Sequence, residues 1–90
     1  MKVSNFNGVK NQFLIETENG TVFQSYSSAI ALVDNDGKVH LSDHWDYSNT
    51  TGKYRNQFLN ETKKETLTKI KSGEYSLDLS LNGNIIKEKN

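Results

Sequence analysis

Ninety residues make one domain, long enough to bury roughly 60–65% of the surface its unfolded chain exposes. Only 33% of them are apolar, so the core must be thin: one sheet with helices on one side. Eleven Lys and Arg balance eleven Asp and Glu, and the net charge exerts no general pull toward nucleic acid or anionic membrane. The chain has no cysteine, which excludes disulfides, thiol catalysis and thiolate metal sites and fits a reducing, cytoplasmic setting. No apolar run approaches the ~18 residues of a membrane span, and the first residues lack the apolar region of a signal peptide.

In chain order, residues 1–9 are polar and read as a lead-in, with the ordered domain expected over about residues 10–86 of 1–90. Gln12 to Thr17 reads as a strand, and Asn19-Gly20 is a strong two-residue hairpin signal. That loop sets Thr17 opposite Val22, Ile15 opposite Gln24 and Phe13 opposite Tyr26. The second strand is expected to continue through a bulge at Ser27-Ser28 into Ala29–Val33. Asp36-Gly37 then offers another two-residue loop, which sets Leu32 opposite Leu41, Ile30 opposite Asp43 and Ser28 opposite Trp45. Together the two registers predict one core face of Phe13, Ile15, Val22, Tyr26, Ile30, Leu32, Val39, Leu41 and Trp45. Leu14 and Phe23 fall on the opposite, more polar face.

Beyond Trp45 the pattern turns helical. A hydroxyl at Ser48 or Thr50 can cap a helix, and Thr51, Tyr54, Phe58 and Leu59 follow at helical spacing. Thr62-Lys63-Lys64-Glu65 has the form of a capping box. A second helix from about Lys63 to Ser72 is predicted to bury Leu67 and Ile70 and to stop at Gly73. Tyr75, Leu77, Leu79 and Leu81 then alternate with polar residues as a strand, and Ile85-Ile86 forms a further short one. The expected fold is α+β, an antiparallel three- to five-stranded sheet (βββααβ) with two short helices packed on one face.

Four constellations invite a chemical reading. Ser48 to Lys53 resembles a phosphate loop, but Tyr47 and Tyr54 stand where that loop needs Gly and Ser or Thr. His40, His44 and Asp46 share a strand face if the strand stays extended, yet zinc needs more convergent ligands than these supply. Asp34-Asn35-Asp36-Gly37 opens like a calcium loop, but Trp45 occupies its twelfth position. The two short helices have the outline of a helix-turn-helix, without base-reading side chains at the start of the second. No catalytic residue, cofactor or metal ligand is therefore proposed from the sequence.

Charge distribution says more. Residues 1–47 hold three lysines against six carboxylates, whereas residues 48–71 hold six cations against Glu61 and Glu65. The candidate partner-binding residues are those cations: Lys53, Arg55, Lys63, Lys64, Lys69 and Lys71.

Ser25-Tyr26, Ile30-Ala31, Trp45-Asp46-Tyr47-Ser48, Thr50-Thr51, Lys53 and Phe58-Leu59 make a pattern of the form S-Y…I-A…W-x-Y-S-x-T-T…F-L. Over roughly residues 13 to 75 the chain resembles a family of short phage and mobile-element proteins with no assigned catalytic residues. The resemblance implies a non-catalytic protein that occupies a surface on a host protein in the host cytoplasm. Inhibitors of nucleic-acid-targeting defences, anti-CRISPR proteins among them, are one such class. Weak or no binding to free nucleic acid is expected, because the neutral net charge weighs against it. Two alternatives are an accessory nucleic-acid-binding protein using the basic helices, and a self-associating module using the Leu14/Phe23 face.

Overall fold

The computed structural model describes residues 2–78; the strand positions expected at Leu79, Leu81 and Ile85-Ile86 lie outside them. The fold is α+β, with one six-stranded mixed sheet and two helices. Strands β1 (Lys2–Asn5), β2 (Gln12–Thr17), β3 (Gly20–Ser25), β4 (Ser28–Asp34) and β5 (Val39–Leu41) form an antiparallel meander. Helices α1 (Asn49–Leu59) and α2 (Lys63–Ser72) follow, and β6 (Ser76–Leu77) returns parallel to β5 at the sheet edge. A parallel return needs such a crossover, because no tight turn can join neighbouring strands that run the same way.

Both helix boundaries follow the capping chemistry of the sequence. The Ser48 hydroxyl accepts the Thr51 N–H at the start of α1. Thr62 and Glu65 complete a reciprocal capping box at the start of α2, which satisfies donors that the first helical turn leaves free. Gly73, at φ +85°, ends α2 in the left-handed region.

The register differs from the sequence expectation at each hairpin, for identifiable reasons. In the first, Gly20 rather than Val22 faces Thr17, across a loop of Glu18 and Asn19. The Thr17 hydroxyl accepts the Asn19 N–H and donates to the Gly20 carbonyl, and so closes the loop one step earlier. Gly20 becomes a strand residue at φ +137°, where a Cβ would lie 2.2 Å from the Val33 carbonyl oxygen. This shift is an even number of positions, so Phe13, Ile15 and Val22 still share a face.

The last hairpin shifts by an odd number, and that matters more. Asp34 N–H donates to the Lys38 carbonyl, and Gly37 N–H donates to the Asp34 carbonyl. The loop is thus Asn35-Asp36-Gly37, a three-residue turn with Gly37 at φ +82°. Leu41 faces Ala31 instead of Leu32. The expected bulge at Ser27-Ser28 is in fact a full turn between β3 and β4, with Ser25 opposite Ser28. Tyr26 bends there at φ +55°, its N–H on the Asn11 carbonyl, and its ring is exposed rather than in the core. The bulge lies further on: the register slips between Phe23 and Gln24, and Ile30 is the extra residue opposite them.

These shifts split the expected face: Ile30, Val39, Leu41 and Trp45 lie in the main core, whereas Phe13, Ile15, Val22 and Leu32 lie in a separate cluster. The helices cover Leu14, Phe23, Ile30, Ala31, Val33, Val39 and Leu41, with Trp45, Tyr54, Phe58, Leu59 and Ile70 packed against them. Phe58 stacks on Phe23 with ring centroids 5.5 Å apart, and Phe6 meets both rings. Ile15, Val22, Ala29 and Leu32 form a second cluster with Phe13. Phe23 is therefore buried in the main core and Leu14 packs against it, so the pair does not form the free face expected of it. The lead-in is also structured: β1 pairs with β2, and Phe6 is buried in the main core.

Candidate partner-binding surface

The six cations singled out in the sequence have different fates once the helices dock. Arg55 is the clearest correction. It lies on the inner side of α1 with 1% exposure, not at the margin of a basic face. Its guanidinium donates to the Trp45 carbonyl at 2.9 Å, Asp46 Oδ1 at 3.1 Å and Asn56 Oδ1 at 2.9 Å. It also lies 5.1 Å from the Trp45 ring centroid. A planar, multiply donating cation suits a buried position with several acceptors, which explains why an arginine stands here among lysines. Arg55 fastens the Trp45–Asp46 segment to α1.

Asp46 links the two helices. While Oδ1 holds Arg55, Oδ2 accepts Lys63 Nζ at 2.7 Å. Burial resists ionisation of Asp46, but the bonds from Lys63 and Arg55 prevail and hold its carboxyl below the usual carboxylate value. Lys63 keeps a side chain 53% exposed, so its ammonium is paired but not hidden.

Lys69 is occupied at the other end of α2. Glu61, in the short interhelical connection, has a side chain only 4% exposed. Its Oε1 accepts Lys69 Nζ at 2.8 Å and the Tyr75 hydroxyl at 2.7 Å, and its Oε2 accepts the Thr66 hydroxyl. Burial disfavours the Glu61 charge, but the bonds from Lys69, Thr66 and Tyr75 together lower its pKa. Lys69 is correspondingly raised, chiefly by its bond to Glu61. Burial and the bond to Glu61 push the Tyr75 phenol up to about 12. Four side chains thus tie α2 to the interhelical turn and to the start of β6.

That tie sets the roll of α2. Thr66 is fully buried beside Glu61, while Leu67, expected inward, is 40% exposed. The outer side of α2 carries Lys63, Lys64, Leu67 and Lys71, all exposed. Lys53 on α1 is exposed too, with its ammonium 5.3 Å from the Tyr54 ring centroid. An open cleft of about 490 Å³ runs beside this face, lined by Lys64, Glu65, Thr68, Lys69, Ser72 and Glu74. Its charges alternate in sign and it has no deeply buried polar group to orient a small ligand.

The histidines do not converge. His40 Nε2 pairs with Asp34 Oδ2 at 2.8 Å, and His44 Nδ1 pairs with Asp43 Oδ1 at 2.9 Å. The bond from His40, with backbone N–H groups of Lys38 and Asp36, lowers the Asp34 pKa and braces the hairpin loop. Among the described residues, no three of His, Asp and Glu come together as a metal site. Nor is any helix among them long and apolar enough to cross a membrane.

A family of unknown function, DUF8033, matches residues 2–74, which includes every element from β1 through α2. The chain belongs to the DUF8033 family. No curated protein and no solved structure matches it. The matched region of this DUF8033 member holds Arg55, Asp46, Glu61 and the whole lysine-bearing face of α2. Glu61 and Arg55 were the residues least readable beforehand. The one sequence sign for Glu61 is its position just before a capping box, where a carboxylate reaches the first turn of the next helix.

Proposed function

We propose that the protein is a non-catalytic binding protein of phage or mobile-element origin that occupies a surface of a host protein. The target class that fits best is a nucleic-acid-targeting defence factor of the CRISPR type, reached in the host cytoplasm. The observation that carries the reading is the outer face of α2, where Lys63, Lys64 and Lys71 stay exposed, while Arg55 of α1 is buried and Lys69 is paired with Glu61. An amphipathic helix whose polar side is basic favours an acidic partner surface. The site is accordingly smaller than the six cations of the sequence: Lys63, Lys64 and Lys71, with Lys53 as a flank on α1.

The other polar clusters have structural accounts. The Ser25 and Ser48 hydroxyls both meet Thr51 Oγ1 at the α1 cap. Ser42 donates to the Ala29 carbonyl and accepts the His44 backbone N–H, so the described contacts give it no imidazole partner for nucleophilic activation.

The test is charge reversal at Lys63, Lys64 and Lys71 together, with circular dichroism to check the fold. Capture of defence-complex components by the wild type and its loss in the folded variant support the reading. Retained capture overturns it. Tight binding to a free duplex would favour the nucleic-acid alternative, whose affinity should fall with a log–log salt slope of about −2.7 for three phosphate contacts.

A further inference from the structure

We infer that Leu67 is the apolar anchor of this face, and that it takes an acidic amphipathic helix whose apolar side chain seats on Leu67 between carboxylates. The inference rests on the binding role proposed for α2 and adds the chemistry of the partner.

A single exposed leucine is ordinary on a protein surface. This one is set apart by what its helix buries instead. Thr66 is fully buried, with its hydroxyl on Glu61 and on the Thr62 carbonyl. Adjacent helical residues are separated by about 100°, so α2 would have to roll by about that angle to exchange Thr66 for Leu67. The Glu61 tie holds the helix against that roll and keeps the leucine out, in a chain with few apolar residues to spare.

The surroundings of Leu67 then select the occupant. Lys63 and Lys71 lie four residues to either side, and Lys64 three residues before it; at these spacings side chains are helical neighbours, about 5–6 Å apart at Cβ. Their methylene stems extend the apolar patch and their ammonium groups rim it. From Lys63 to Lys71 the row spans about 12 Å along the axis. A partner helix that carries a leucine flanked four residues away on each side by glutamates presents the complementary row. Lys63 already shares Asp46, so Lys64 and Lys71 supply most of the attraction. A phosphate backbone offers charge to the same lysines but nothing for the leucine.

The experiment uses the full chain and a fluorescent helical peptide with that Glu-Leu-Glu spacing, read by anisotropy at about 50 and about 300 mM salt. A second peptide replaces its leucine by serine, and a third replaces its glutamates by lysines. We expect saturable binding of the first peptide, and losses of about tenfold or more both in Leu67→Ala and with the serine peptide. The Lys64→Glu/Lys71→Glu variant should lose the first peptide and gain the lysine peptide. No binding of the first peptide, or equal binding by wild type and Leu67→Ala, overturns the anchor. If the lysine variant captures its host target undiminished, the underlying reading fails instead, and the two failures are told apart.

Discussion

The two helices are held by opposite means. Helix α1 is fastened along its inner side: Phe58 stacks on Phe23, and Arg55 is sunk into a ring of acceptors. Helix α2 packs Ile70 against the core and is otherwise tied by polar contacts, through the Lys63–Asp46 pair and the Glu61 cluster. In α1 a cation is structural and apolar rings fill the core. In α2 a threonine is buried and a leucine faces water. Charge and hydropathy alone therefore do not say which way a side chain points when the tether of the helix is polar.

The largest expected effect is at Arg55. Arg55→Ala should cost about 3 kcal/mol, because the Trp45 carbonyl and Asn56 lose a donor inside the fold, although Asp46 keeps Lys63. Arg55→Lys should recover only part of this, since one ammonium cannot serve three acceptors arranged around a planar group. Denaturant unfolding measures both. An Arg55→Ala protein as stable as wild type would show that α1 is held by its rings alone.

Glu61→Gln should cost about 2 kcal/mol, by weakening the charge-assisted bonds to Lys69 and Tyr75. The pH profile sharpens the same point. Glu61 and Asp46 have folded-state pKa values below their ordinary 4.5 and 3.8. Their contribution is complete above those values and is lost as pH falls beneath them. Tyr75 shifts the other way, from 10.0 to about 12. Its contribution is complete below pH 10.0 and is lost as pH rises through 12. Thermal melts of wild type should thus fall off at both extremes. Glu61→Gln should lessen both limbs, with burial of Tyr75 keeping part of the alkaline one; an unchanged profile would remove Glu61 as the tie.

The smallest expected effect is on the outer face of α2. Leu67→Ala and the Lys64→Glu/Lys71→Glu variant should each move the melting temperature by no more than about 3 °C. A large loss would mean that α2 depends on its outer side for stability, and the contrast with α1 would weaken.

Much of the fold was legible where local chemistry decides it. The Ser48 cap, the Thr62–Glu65 box, the Gly73 stop and the inward stripe of Thr51, Tyr54, Phe58 and Leu59 all follow from short-range patterns. The sheet was less legible because its turns turn on single residues. Tyr26 takes a left-handed backbone conformation that a bulky side chain rarely adopts, so no glycine or asparagine marks that bend. At Asn35-Asp36-Gly37, a three-residue and a two-residue loop share the same Asp-Gly signal. That one-residue ambiguity was enough to set Val39 and Leu41 on the face of Phe23 instead of that of Val22. Of the candidate site, Lys63, Lys64 and Lys71 were readable as outward cations. Arg55, Lys69 and Leu67 were not, because their direction depends on Asp46, Asn56 and Glu61, partners that periodicity does not identify.

The parallel pairing of β6 with β5 bears on the order in which the chain assembles. Every other strand in the sheet pairs with a neighbour in sequence, whereas His40 meets Ser76 only after both helices have been traversed. Closing that long segment carries an entropic cost that the hairpins escape, and distant contacts of this kind slow folding. The meander should therefore form first and the β5–β6 ladder last. In pulse-labelling hydrogen exchange during refolding, amides of β2 to β4 should gain protection ahead of the Asp78 amide, which donates to the Leu41 carbonyl across that final seam.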